Sequence, residues 1–188
     1  MYILIAQITG IAAMLFNIFS YQMKSQKNII RMQLFGSLLF AVNMYMLGAV
    51  MGFILNSIGV IRAIVYSNKS RFRADNKIWT YIFLIAYVCS YGLTFTVFQK
   101  EASVRNLIVE LLPLIAMYAT TLSFSMKKSS DVRKFAFISS PLWLAYNCVN
   151  LAIGGALCEI FSLISNTAAV IRLDKKSTGG KGNENTNP

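Results

Sequence analysis

Seven long apolar runs divide this chain, and short polar or basic loops separate them. Each run holds 18 to 22 residues, and a helix needs about 20 apolar residues to cross the hydrocarbon of a bilayer. The composition agrees, because 56% of the residues are hydrophobic and only 13% are charged. We therefore predict an all-α membrane protein with seven transmembrane helices. The runs, numbered one to seven, cover residues 2–20, 28–47, 49–66, 78–98, 103–124, 134–153 and 156–173.

The basic residues predict how the helices are oriented. Sixteen of the 18 Lys and Arg lie in or beside the loops that follow runs one, three and five, or after run seven. Lys100 and Arg105 lie on the opposite side. Because cytoplasmic loops carry an excess of Lys and Arg, we expect the N-terminus outside and the C-terminus in the cytoplasm. The net charge of +11 is thereby attributed to topology, and no nucleic-acid partner is expected.

An internal repeat relates the two ends of the chain. Residues 56–62 read Asn-Ser-Ile-Gly-Val-Ile-Arg, and residues 166–172 read Asn-Thr-Ala-Ala-Val-Ile-Arg. Lys24-Ser25 and Asn43 likewise recur, 104 residues later, as Lys128-Ser129 and Asn147. Runs one to three therefore match runs five to seven, and run four has no partner.

The unpaired run four restores the chain direction, so the two matching units are predicted to be parallel. Parallel repeats in transporters place the substrate site near the bilayer midplane, where the halves meet. We predict a first three-helix bundle at residues 1–66, a basic cytoplasmic loop at 67–77 and a linker helix at 78–98. A second bundle follows at 99–173, and residues 174–188 are predicted to be a disordered cytoplasmic tail.

Amides in the apolar runs are the candidates for a substrate-binding site. Asn56 and Asn166 lie near the middle of their runs, where an amide without a hydrogen-bond partner is costly. Asn43, Trp143 and Asn147 lie on polar faces of runs two and six. The alternative is structural, because Asn residues also join helices in membranes and Trp also anchors helices at the membrane interface.

Glu110 is a candidate for proton coupling, because it lies about 10 Å into run five. The alternative is a carboxyl that reaches outward or pairs with Arg105. Glu159 is expected at the membrane interface. The chain has no His, no Cys-x-x-Cys and no Gly-rich phosphate loop, so we expect neither an enzyme nor a metal or cofactor site.

The arrangement of three, one and three runs resembles the SWEET, SemiSWEET and PQ-loop transporters. The Lys-Ser pairs, residues 142–147 (Leu-Trp-Leu-Ala-Tyr-Asn), Asn56 and Asn166 carry the resemblance. It implies that Asn56, Asn166 and Trp143 line a solute pocket. The first bundle differs by lacking a tryptophan at the position that corresponds to Trp143.

Over residues 1–173 the chain resembles the YgjV-type bacterial inner membrane proteins more than it resembles those transporters. The resemblance implies a multi-pass protein of the bacterial inner membrane that contacts lipid. The first functional hypothesis is a facilitator that moves a neutral polar solute, such as a sugar, by alternating access. The second is a non-transporting receptor that binds a partner or a lipid. A homo-oligomer is compatible with either.

Overall fold

The computed structural model describes residues 2–74, 77–150 and 153–174. Within these ranges the chain forms eight α-helices and one π-helical turn, and no β-strand. The π-helical turn, Val170–Asp174, continues the last helix. The α-helices are α1 (Tyr2–Ser20), α2 (Gln26–Met46), α3 (Val50–Ser67), α4 (Lys69–Phe72), α5 (Ile78–Thr96), α6 (Val104–Ser125), α7 (Ser129–Val149) and α8 (Ile153–Ala169).

The seven long helices follow the predicted runs, and their ends differ from the predicted ends by up to five residues. Helix α7 begins at Ser129, five residues before the predicted start of run six, because polar residues form its first turn. The short helix α4 lies in the segment predicted to be a loop, and the indole of Trp79 donates to the Phe72 carbonyl at its end. Of the predicted tail, only Asp174 is described, so that prediction lies outside the described residues.

Among the helices that the structure describes, five are long and apolar enough to cross a membrane: α2, α3, α5, α6 and Gly154–Leu173, which is α8 with its π turn. Ile5–Ser20 is apolar but shorter. Helix α7 carries three charged residues in its first two turns. Many large apolar side chains point outward, such as Ile8, Ile85 and Ile164, each more than half exposed. Such an exterior suits contact with lipid rather than with water.

The long helices close into a ring. Helices α1, α2 and α3 pack in chain order, and so do α6, α7 and α8. The ring closes where α1 packs against α8 and where α3 packs against α6. Helix α5 lies against α3 and α6, and α2 barely touches α7 across the centre. The centre of the ring is therefore the place where space can remain.

The two ends of the ring differ in charge. One end, which we call the basic end, carries the α1–α2, α3–α5 and α6–α7 connections and the π turn. The opposite end carries the α2–α3 and α5–α6 connections.

An aromatic core between α3, α5 and α6 stabilises the basic end. In this core Tyr66 packs against Phe83 and Phe124, and its hydroxyl forms a hydrogen bond with the hydroxyl of Thr80.

Candidate functional site

A polar cavity of about 90 Å³ lies inside the ring. All six helices of the ring contribute to its wall, and hydroxyls and amides make up much of the lining. The lining residues are Asn17, Tyr21, Gln33, Ser37, Phe40, Met44, Asn56, Arg62, Met117, Thr120, Ser123, Val132, Ala136, Ser139, Ser140, Trp143, Asn147, Glu159 and Ser162.

The cavity has room for several waters or one compact solute. A single water needs about 10–15 Å³ by the same measure. Pockets for drug-sized ligands hold about 300–1,000 Å³, so the space as it stands suits a smaller molecule. Polar walls inside a helix bundle with an apolar exterior identify this cavity as the candidate functional site.

Asn56 lines the cavity from α3. Its Nδ2 donates to the carbonyl of Gly52, one turn earlier on the same helix, at 2.8 Å. That bond does not join α3 to another helix, so Asn56 is not needed as an interhelical contact. Gly59, one turn further along, permits close packing: a Cβ there would meet Met117 Cε at 3.3 Å and Ser37 Oγ at 3.5 Å.

Asn166, the counterpart of Asn56 in the repeat, lies outside the cavity lining. It is completely buried, and its Nδ2 donates to the Arg133 carbonyl on α7 at 2.7 Å. Its Oδ1 has no hydrogen-bond partner. The matching amides therefore occupy different environments, since one faces the cavity and the other joins two helices.

Trp143 and Asn147 line the cavity from α7. The Trp143 ring meets the Tyr146 ring edge to face, with centroids 5.7 Å apart. Asn147 is buried against α8, and its Oδ1 has no partner. Asn43, its counterpart on α2, lies outside the lining and donates to the Ala6 carbonyl at 2.7 Å. Each half thus uses one asparagine between helices and presents the other to the cavity.

Two charged side chains also line the cavity. Arg62 is only 4% exposed, and its Nη1 donates to the Met117 carbonyl and to Thr121 Oγ1, each at 3.1 Å. Glu159 lies beside the Ser140 hydroxyl on the facing helix. The α7–α8 contact brings Glu159 to the cavity wall, whereas the sequence indicated only its depth near the outer end of run seven.

Glu110 lies outside the cavity lining. It is completely buried and forms an ion pair with Lys100, which comes from the α5–α6 connection. The alternative partner considered from the sequence, Arg105, is exposed. The chain reverses direction between α5 and α6, and this places Lys100 beside the first turns of α6. The spacing of these residues in the sequence does not by itself indicate this contact.

Sequence reasoning missed Arg62, which it assigned only to the end of its run. The signal was present, because Arg62 is a charged residue in an apolar run, three residues after Gly59. It also missed the hydroxyls of Ser37 and Ser139, which are too common in membrane helices to be distinctive.

No group of three or more Cys, Asp or Glu side chains suited to a metal ion occurs within residues 2–74, 77–150 and 153–174. The three cysteines are separate, and Cys158 alone is buried. The polar residues that line the cavity carry amides and hydroxyls, together with the charged residues Arg62 and Glu159.

An apolar exterior and a polar central cavity define a multi-pass α-helical membrane protein. The chain belongs to the Imp-YgjV family of bacterial inner membrane proteins, whose family model matches residues 4–177. No curated protein and no solved structure matches the chain.

Proposed function

We propose that this inner membrane protein transports a small polar solute without net charge, such as a sugar or a similar metabolite. One observation carries the proposal: a polar cavity lies at the centre of a ring of apolar helices. Buried polar groups are costly within a membrane, and they typically mark the path or the binding site of a solute.

Seven spans arranged as two parallel three-helix bundles, with α5 as the linker, fit this function. The helix contacts support the arrangement, because exchanging α1, α2 and α3 with α6, α7 and α8 leaves the order of contacts unchanged. In particular, the α1–α8 contact becomes the α6–α3 contact. Two similar halves can rock against each other and expose a central site to either side in turn.

The residues of the site have separate roles in this proposal. Asn56, Trp143 and Asn147 contact the solute, because they line the cavity. The amides hydrogen-bond hydroxyl or amide groups, and the indole packs on the apolar face of the solute. Asn43 and Asn166 support the site by holding α2 to α1 and α8 to α7.

Glu110 and Lys100 form a contact at the opposite end of the ring, and this contact fits a gate. Protonation of the Glu110 carboxyl removes the charge that holds Lys100, which loosens the α5–α6 connection from α6. The pair thereby offers a route for proton coupling that does not require Glu110 to touch the solute.

Uptake into proteoliposomes tests the proposal. The purified protein is assayed with a panel of labelled hexoses, polyols and nucleosides, and the best solute is repeated with Asn56→Ala. The matched control is Ser57→Ala, because Ser57 also bonds its own helix one turn back but lies outside the cavity lining.

We expect Asn56→Ala to reduce uptake about ten-fold, the effect of losing one hydrogen bond of about 1.4 kcal/mol, while Ser57→Ala transports normally. Equal uptake by both variants would remove Asn56 from the site. A panel member that stabilises the protein against heat but never crosses the bilayer would favour a non-transporting receptor instead.

A further inference from the structure

The cavity wall contains a buried cation without a carboxylate partner. All the hydrogen bonds of Arg62 use Nη1 and neutral acceptors, while its Nε is buried with no partner. The guanidinium also lies over the Phe124 ring, 4.8 Å from its centroid. A charged side chain within a membrane usually pairs with an opposite charge or faces a polar pathway. Arg62 therefore lines the cavity without forming an ion pair with any carboxylate that the structure describes.

The same cavity contains a carboxyl group. Glu159 on α8 lines it and lies beside the Ser140 hydroxyl, which is itself buried on α7. Tyr21 completes this corner, with its hydroxyl near both Ser140 and Glu159. The neighbours of Glu159 at this corner thus include two hydroxyl groups.

These two charges do not pair with each other. Among the side chains that the structure describes, one ion pair is formed, between Lys100 and Glu110 outside the cavity lining. Arg62 lies on α3 and Glu159 on α8, in different halves of the ring. Arg62 and Glu159 therefore line one cavity without forming an ion pair with each other.

We propose that the solute is a small zwitterion, with a carboxylate that binds Arg62 and an ammonium group that binds Glu159. The inference rests on the proposed function, because it takes the cavity to be the solute site. An α-amino acid with a short neutral side chain has this chemistry, and it agrees with a solute without net charge. A guanidinium and a carboxylate are the strongest partners that a protein offers to these two ionic groups.

Solutes with a single charge or no charge are less complementary to the cavity wall. A plain carboxylate would neutralise Arg62 and leave Glu159 facing another anion, and a plain amine would leave Arg62 beside another cation. An uncharged sugar would leave both residues without an ionic partner. Only a molecule with both charges compensates both residues at once, and its compact size suits a cavity of about 90 Å³.

Thermal unfolding of the purified full chain in detergent tests the inference with defined probes. The zwitterions are glycine, L-alanine, L-serine and L-leucine. Propionate and ethylamine represent the two charged halves of L-alanine, and lactamide is an uncharged analogue. We expect at least one zwitterion to raise the Tm by about 3 °C or more near saturation, and each half to bind at least about ten-fold more weakly.

The variants assign the two ends of the zwitterion. Glu159→Gln should weaken binding of the best amino acid about ten-fold and leave propionate binding unchanged or stronger. Glu101→Gln, in the exposed α5–α6 connection, is the matched control and should bind as the unaltered chain does. Arg62→Met tests the other end, and Arg62→Lys replaces it if Arg62→Met fails to fold. Because Arg62→Lys keeps the positive charge, it should retain measurable amino-acid binding, with weaker affinity.

The inference is overturned if no zwitterion shifts the Tm, if lactamide binds as tightly as L-alanine, or if Glu159→Gln leaves amino-acid affinity unchanged. Two experimental outcomes distinguish failure of this inference from failure of the proposed function. Uptake of an uncharged hexose that depends on Asn56 and does not respond to amino acids would preserve transport and reject the zwitterion. Zwitterion binding without flux would preserve the inference and reject transport.

Discussion

The amide of Asn166 donates to the backbone carbonyl of Arg133 across the α7–α8 contact, at 2.7 Å. Asn56, at the matching position of the repeat, donates only within its own helix. The matching asparagines thus have different roles in the two halves of the molecule, and substitutions can distinguish these roles.

Asn166→Ala should lower stability more than Asn56→Ala does. The first change removes a bond between helices, which within membranes contributes about 0.6–1.7 kcal/mol. The second removes a local bond, so its effect should appear in solute binding and hardly in unfolding. Thermal unfolding of both purified variants in the same detergent measures the difference. A Tm for Asn56→Ala as low as that for Asn166→Ala would contradict the division of roles.

Gly155→Ala should disturb the cavity through Asn147. A Cβ at Gly155 would lie 2.7 Å from Asn147 Cγ, so either the side chain or helix α8 must move. We expect a loss of about 1–3 kcal/mol, as for other overpacked sites. Unfolding of the purified variant in detergent measures the loss.

The matched control for this prediction is Gly92→Ala on α5, where a Cβ meets nothing within 4 Å. It should leave stability unchanged or raise it by up to about 1 kcal/mol. Combining Gly155→Ala with Asn147→Ala should recover part of the loss, since the double variant removes the obstructing amide. No recovery would show that α8 collides with something else.

Lys100→Met should destabilise the protein by up to about 3 kcal/mol, because it leaves the buried Glu110 carboxyl without its cation. Glu110→Gln should be milder, since it leaves an exposed end of a lysine free to reach solvent. Arg105→Gln, beside the same helix start but exposed, is the control and should change little. Chemical or thermal unfolding of the three variants gives the order. An Arg105→Gln effect as large as that of Lys100→Met would mean that Arg105 shares the ion pair.

The basic end of the ring should face the cytoplasm. Single cysteines placed at Ser70 and at Ala102, both exposed and at opposite ends, test this in a background where the three native cysteines are replaced. A membrane-impermeant maleimide applied to cells with a permeabilised outer membrane should label Ala102→Cys directly. It should label Ser70→Cys only after the inner membrane is opened, and the reverse pattern would invert the orientation.

The helices and their approximate ends were predictable from the sequence, because they follow from local properties. The length of an apolar run and the charge of its flanks act within a few residues, so α1 and the start of α5 agree with the predicted limits. The start of α7 was less predictable because its first turn is polar and is stabilised by contacts with other parts of the chain, including the bonds from Arg133 to the Tyr21 and Met23 carbonyls.

Only the tertiary structure decided which polar residues meet. Asn56 and Asn166 are equivalent in sequence, and whether each faces space or another helix depends on the neighbour that packs against it. The same holds for Arg62 and Glu159, which are almost 100 residues apart and share one cavity because α1 closes onto α8 and α3 onto α6. Helix formation is local, whereas the environment of a side chain inside the bundle is set by contacts between distant parts of the chain.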